Sequence, residues 1–120
     1  MNTRLFRKLF LPAALFATLG MAASSEFGDD AATERTWRAK CASCHGKDGK
    51  GQTKQGEKMG IHNMADPVWQ KEFTDDKIRE TVLKGISRTK DGKKQEMKPF
   101  DGKLTPEEVD ALIKYVRTFK

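Results

Sequence analysis

Two cysteines and a histidine stand close together in the string Cys41-Ala42-Ser43-Cys44-His45. On a helical turn, residues three apart face the same way, so both thiols can reach the two vinyl groups of one porphyrin. The histidine directly after the second cysteine then lies beneath the iron, where its imidazole can act as an axial ligand. The motif predicts one covalently bound haem c, with Cys41 and Cys44 as the thioethers and His45 as an iron ligand.

Three other kinds of chemistry also use paired cysteines. A redox dithiol of the CxxC type needs a βαβ setting, which this sequence does not suggest. A zinc site usually has four ligands, and His62 is the one histidine besides His45. A simple disulfide between Cys41 and Cys44, in a thiol–disulfide protein without haem, stays open as an alternative.

The iron needs a second axial ligand from elsewhere in the chain, and the candidates are Met59, Met64, Met97 and His62. Met97 is favoured because its segment is polar and gives no helical reason to bury a thioether, and because Pro99 stiffens the chain after it. It follows His45 by 52 residues, which lets the chain return on the opposite face of the porphyrin. The other two methionines follow by 14 and 19 residues and are expected on the same side as His45.

Helical patterns surround the motif. The first runs from about residue 31 to Cys41, with Thr33, Trp37 and Cys41 on one face. A second is expected from a Thr74 cap to a stop at Gly85. A short helix over 57–64 is a weaker prediction, and 87–103 reads as a polar stretch with turns.

The last helix has the clearest signal. Thr105 is a cap, Pro106 takes the first helical position and Glu108 completes a capping box. An apolar stripe follows at helical spacing, formed by Val109, Leu112, Ile113, Val116 and Phe119. No segment alternates at period two for long enough to predict a strand, so the sequence predicts an all-α fold.

The N-terminal segment has the order of a secretory signal peptide. Arg4, Arg7 and Lys8 are basic, residues 9–19 are almost wholly apolar, and small residues follow. This order predicts a signal peptide over residues 1–24, with a cleavage site that the sequence does not fix. The apolar run is shorter than the about 20 residues that span a bilayer, and an uncleaved membrane anchor is the alternative. Residues 25–120 are then the monohaem domain, located in the periplasm.

Size and charge narrow the function further. A domain this small buries only about 60% of its surface, so a porphyrin would supply apolar mass that the side chains lack. The formal net charge of +6 falls to about +3 without the three basic residues of the leader. Basic residues concentrate at 38–58 and 84–103, and acidic ones at 26–34 and 66–80. This patchy distribution argues against nucleic-acid binding.

Taken together, these strings resemble the class I c-type cytochromes of the small bacterial monohaem kind. The likeness covers essentially the whole chain after the leader: Trp37 four before the first cysteine, Cys41 to Gly46, Asp48-Gly49-x-Gly51, Met97-Lys98-Pro99-Phe100, and 104–117. The resemblance implies a compact cytochrome c fold, with three to five short helices around the haem and crossing N- and C-terminal helices. It implies that Trp37 meets Leu112 and Tyr115. Thr33 stands where the family often has glycine, and no proline between His45 and Pro67 marks a carbonyl partner for the histidine.

If His45 and Met97 both bind the iron, no coordination site is left for a substrate. The sequence therefore predicts a one-electron carrier and not an enzyme; the alternative is a haem enzyme or gas-binding sensor with an open sixth position. Trp69 and Arg88 are candidate donors to the haem propionates. We expect a monomer whose partners are redox proteins, with membrane contact only through membrane-bound partners. Acidic partner surfaces would dock on lysines flanking the haem: Lys40, Lys47, Lys50, Lys54, Lys90, Lys93, Lys94 and Lys98.

Overall fold

In the computed structural model of the chain, the residues described are 26–120. The predicted signal peptide at 1–24 lies outside them. They form six helices and one antiparallel pair of strands: α1 (Glu26–Lys40), α2 (Ala42–His45), α3 (Lys54–Met59), α4 (Pro67–Glu72), α5 (Asp75–Lys84), β1 (Ile86–Lys90), β2 (Lys93–Met97) and α6 (Pro106–Arg117). Over this range, no helix combines the length and the apolar composition that a membrane crossing requires. The predicted, mainly helical fold is confirmed.

The prediction that the chain forms no strand was wrong. Strands β1 and β2 pair in a hairpin with Ile86 opposite Met97 and Lys90 opposite Lys93. Its turn is Asp91-Gly92, with φ values of 51° and 74°, as a two-residue turn between strands of the normal twist requires. The hairpin gives no alternating apolar pattern because most of its side chains are exposed; Ile86 and Met97 are half-buried and Gln95 alone is buried.

The predicted ends of the last two helices are confirmed. The Thr74 hydroxyl accepts from the backbone N–H of Lys77 at 3.3 Å, and α5 ends at Gly85 with φ 71°. At α6, the Glu108 carboxylate accepts from the N–H of Thr105 at 2.8 Å, and the Thr105 hydroxyl accepts in return from Glu108. These caps occupy backbone groups that have no partner inside the helix.

The shorter helices differ from prediction. Helix α3 spans 54–59 instead of 57–64, because Thr53 caps its start and Gly60 ends it with φ 62°. Helix α4 was not anticipated; it begins where the Asp66 carboxylate accepts from the N–H of Val68 at 2.7 Å. Helix α1 begins at Glu26, earlier than expected, and ends just before Cys41.

Helices α1 and α6 cross, as the resemblance implied. Trp37, 3% exposed, packs in one core cluster with Leu112, and its ring centroid lies 5.8 Å from that of Tyr115. Thr33 is buried at the same crossing. A cleft of about 130 Å³ beside it is lined by residues of both helices, which fits a threonine in place of the smaller glycine. The core is completed by Ile78, Leu104, Val109, Ile113 and Val116.

Arg117, at the end of α6, fastens three elements together. Its guanidinium donates to the backbone oxygen of Gln70 at 2.8 Å, to that of Phe73, and to the Asp75 carboxylate at 2.7 Å. Its side chain is 27% exposed. The last helix is thereby tied to the end of α4 and the start of α5.

We expect Arg117→Ala to lower the free energy of unfolding by about 2–3 kcal/mol, because two backbone carbonyls lose a charged donor in a half-buried setting. Arg38→Ala is the matched control. Arg38 pairs with Glu34 one turn away on the exposed face of α1, and such pairs contribute about 0.3–0.5 kcal/mol. Chemical denaturation of both variants checks this; equal losses in the two would contradict the role given to Arg117.

Candidate functional site

A cavity of about 550 Å³ brings the predicted site residues together. This volume lies within the about 300–1,000 Å³ typical of small-molecule and cofactor sites. Its lining includes Cys41, Cys44, His45 and Met97, and also the other candidates Met59, Met64, His62, Trp69 and Arg88. The rest of the wall is largely apolar, with Phe73, Ile78, Val82, Phe100, Leu104, Leu112 and Val116 among its members.

The break between α1 and α2 places the motif at this cavity. The N–H of Cys41 still donates to the Trp37 carbonyl at 2.8 Å, and the N–H of His45 donates to the Cys41 carbonyl at 2.9 Å. The chain then turns away at Gly46, with φ 81°. The Trp37 indole N–H donates to the Gly46 carbonyl at 3.0 Å. One tryptophan thus joins the helix crossing to the turn that follows the motif.

Helix α3 packs against the motif through Thr53 and Gly56, two residues that the sequence analysis missed. The Thr53 hydroxyl donates to the Cys44 carbonyl at 2.7 Å and accepts from the N–H of Gly56 at 2.9 Å. A Cβ at Gly56 would collide with the Gly51 carbonyl and lie 2.7 Å from the Cys44 oxygen. The sequence carries one sign of this contact, a threonine that can cap a helix three residues before a glycine. The same Thr53 cap accounts for the observed start of α3.

His45 is a half-buried imidazole whose Nδ1 has no hydrogen-bond partner among the residues that the structure describes. Burial lowers its pKa to about 4, so the ring is neutral at pH 7. Its Nδ1 is buried and meets no partner within residues 26–120, in line with the missing carbonyl partner noted in the sequence. Unsatisfied buried polar atoms are rare and often mark functional groups. A neutral imidazole is the form that binds a metal ion.

Cys41 and Cys44 are both free thiols, with no disulfide between them, and both are half-buried. Burial raises the pKa of the Cys41 thiol to about 11, partly opposed by the positive charge of Lys40. Cys41 is therefore an uncharged thiol at neutral pH, as suits an apolar cavity. Two thiols, an unused imidazole and apolar walls fit a haem.

Three methionines reach the cavity, and all are half-buried. Met97 ends β2, opposite Ile86. Met59 ends α3, and Met64 follows in the connection to α4, where its N–H donates to the Gly49 carbonyl at 2.9 Å. The choice of Met97 as the second iron ligand stays a prediction.

The remaining candidates already have protein contacts. His62 is exposed, and its Nε2 lies 3.2 Å from the Lys90 ammonium. Trp69 stacks on Phe73, with ring centroids 4.9 Å apart and planes 14° from parallel. Arg88 Nε donates to the side-chain oxygen of Gln95 at 2.8 Å. Gln95 also lines the cavity, and the sequence analysis did not mark it as a site residue.

Comparison with known proteins agrees with this site. The family model described as cytochrome C oxidase, cbb3-type, subunit III, matches residues 28–116. The solved structure of the KustC0563 c-type cytochrome is similar at 39% identity, with a TM-score of 0.61 over 73% of this chain and 96% of that one. A tyrosine-to-phenylalanine mutant of Kustc0563 is similar at 38% identity, with a TM-score of 0.58 over 73% of this chain and 98% of that one. No curated protein matches the chain.

The match to the family model spans most of the chain. A relative of known structure supports the same assignment over nearly its whole length. The chain belongs to the family of small c-type cytochromes.

Proposed function

We propose that this chain carries single electrons between redox proteins outside the cytoplasm, through one haem c. Cys41 and Cys44 tether the haem, and His45 and Met97 hold its iron. The observation that supports this most is the meeting of these four side chains in one largely apolar cavity. The haem, when bound, supplies a one-electron couple between ferric and ferrous iron.

Each residue has a distinct part in this proposal. The two thiols would each add across a vinyl group of the haem, which needs no oxidant and consumes both S–H bonds. With the haem bound, the neutral His45 imidazole and the Met97 thioether would hold its iron, and the thioether would favour the ferrous state. With both side chains on the iron, no coordination site would be left for a substrate, and the largely apolar walls would disfavour water there.

The test is a redox titration of the chain exported to an oxidising compartment. We expect haem that stays with the polypeptide after acid–organic extraction, and a potentiometric titration that fits one electron per chain. Replacing both Cys41 and Cys44 by serine removes the covalent attachment. Protein without Soret absorption would contradict the proposal and favour a thiol–disulfide function, and a turnover reaction at the iron would favour an enzyme.

Charge around the cavity supports redox proteins with acidic surfaces as partners. Within residues 26–120, Lys94 alone of the eight flanking lysines forms an ion pair, with Glu96 at 2.8 Å. Acidic residues of α5 and α6, by contrast, pair with cations, as in Arg79 with Asp110 and Lys84 with Glu80. Of the eight flanking lysines, Lys40 and Lys98 line the cavity, and their positive charge could steer an acidic partner. The location in the periplasm and the monomeric state belong to the same proposal.

A charge swap at the cavity tests this steering. We expect Lys40→Glu to slow oxidation of the ferrous protein by ferricyanide several-fold at low salt, since Lys40 lines the cavity. Lys114→Glu, at an exposed position of α6 outside the cavity lining, changes the net charge equally and is expected to slow the oxidation less. Stopped-flow rates at several ionic strengths give the answer. Equal slowing by both variants, or rates that ignore salt, would rule out local steering.

A further inference from the structure

We infer that Gln95 is a positioning residue: it fastens strand β2 to the end of helix α3 and so sets how Met97 enters the cavity. The inference rests on the proposed function, in which Met97 binds the iron. It concerns what holds the ligand-bearing strand in place, since a two-stranded hairpin alone is marginally stable in water.

The Gln95 amide is buried, at 9% exposure, and all of its polar groups are used. Its Nε2 donates to the carbonyl of Met59 at 3.0 Å and to that of Gly60 at 3.1 Å. Its oxygen accepts from Arg88 Nε at 2.8 Å, across the hairpin. Carbonyls at the end of a helix have no partner inside it, so the amide satisfies two acceptors that would otherwise be left without one.

The neighbours of Gln95 show which face of the strand is anchored. Side chains of a strand alternate between its two faces, so Lys93, Gln95 and Met97 share one face. The Lys93 ammonium donates to the Glu57 carbonyl at 3.0 Å, also at the end of α3. The two residues that precede Met97 on its own face are thus both bonded to α3. On the other face, Lys94 and Glu96 pair only with each other.

Through these bonds, helix α3 determines how far the Met97 side chain reaches into the cavity. The same short helix also contacts the motif, through the hydrogen bond from the Thr53 hydroxyl to the Cys44 carbonyl. One six-residue helix therefore contacts both the segment that carries His45 and the strand that carries Met97. Loss of the amide would leave the motif in place and free the strand, so the Met97 thioether would leave the iron more often.

The experiment compares Gln95→Leu with wild type, both as haem-loaded protein. We expect the ferrous variant to bind carbon monoxide about thirtyfold faster, because two hydrogen bonds to carbonyls that contribute about 1 kcal/mol each are lost and about 1.4 kcal/mol corresponds to a factor of ten. The weak far-red absorption of thioether-bound ferric haem should decrease, and amide hydrogen exchange in β2 should accelerate by a similar factor. Gln95→Glu keeps an acceptor for Arg88 but lacks the N–H donors, and should behave in the same way.

Gln70→Leu is the matched control for loss of stability. The Gln70 amide also donates to two carbonyls, those of Met64 and Val116, but it lies outside the cavity lining. We expect this variant to unfold more easily with unchanged carbon monoxide binding. Lys93 is exposed, so Lys93→Ala should leave the fold intact. This variant should change the rate of carbon monoxide binding in the same direction as Gln95→Leu but less. Lys94→Ala, on the opposite face of the strand, should not change it.

The outcomes separate the inference from the proposed function. A wild-type protein with no thioether absorption would overturn both. Thioether absorption in wild type that Gln95→Leu leaves unchanged would overturn the inference alone, as would equal carbon monoxide rates in Gln95→Leu and Gln70→Leu.

Discussion

Met97→Ala is expected to lower the reduction potential by on the order of 0.1 V or more, a fraction of the about 0.8 V that axial ligands span. The physical reason is that a thioether stabilises ferrous iron, so its loss favours the ferric state. The same variant should bind carbon monoxide rapidly, because the sixth position is open. Potentiometric titration and mixing of the ferrous protein with carbon monoxide measure the two effects.

Met59→Ala and Met64→Ala are the controls that the chain itself offers. Both side chains line the same cavity and are half-buried like Met97. Each substitution removes similar volume and should cost stability, but the potential should move little and the sixth position should stay closed. If one of these variants lost thioether absorption while Met97→Ala kept it, the ligand would have been assigned to the wrong methionine.

Gly85→Ala is expected to displace the segment that carries Met97. Gly85 ends α5 with φ 71°, and a Cβ there would collide with the Met97 carbonyl oxygen and lie 2.9 Å from the nitrogen of Pro99. Both neighbours are backbone atoms, so the clash cannot be relieved by turning a side chain. We expect a loss of more than about 3 kcal/mol in unfolding free energy together with loss of thioether absorption.

Gly102→Ala is the control that separates the steric clash at Gly85 from the strain of a positive φ angle. Gly102 has a φ of 72°, and a Cβ there would meet nothing within 4 Å. Its substitution should cost about 1–2 kcal/mol from the left-handed conformation alone and leave the iron ligands unchanged. Denaturation curves and ferric spectra of the two variants test this. Similar spectra in both would show that Gly85 does not position Met97.

Local signals made the three longest helices, α1, α5 and α6, predictable. Thr105, Pro106 and Glu108 determine the start of α6 through their own side chains and ring, and the structure has each of these contacts. The apolar stripe of α6 then contacts Trp37 because a helix buries the face on which apolar residues recur. Caps and stripes are encoded within a few residues, so they can be read without knowing the rest of the fold.

The hairpin and its anchor could not be predicted in the same way. Residues 86–97 bury almost nothing, so period-two alternation, the usual sign of a strand, is missing. The remaining sign was the Asp91-Gly92 turn pair. The contacts of Gln95 link it to residues 35 and 36 positions earlier, and no local pattern marks such a partner. The collision that makes Gly85 essential is likewise a matter of distant packing.

The most direct test of the central claim is the absorption spectrum of the ferrous wild-type protein at neutral pH, before and after carbon monoxide. A carrier whose iron is held by His45 and Met97 should give a six-coordinate, low-spin spectrum that carbon monoxide changes only slowly, because the thioether must leave the iron first. Rapid binding of carbon monoxide would contradict this account and show an open sixth position, as in a haem enzyme or a gas-binding sensor.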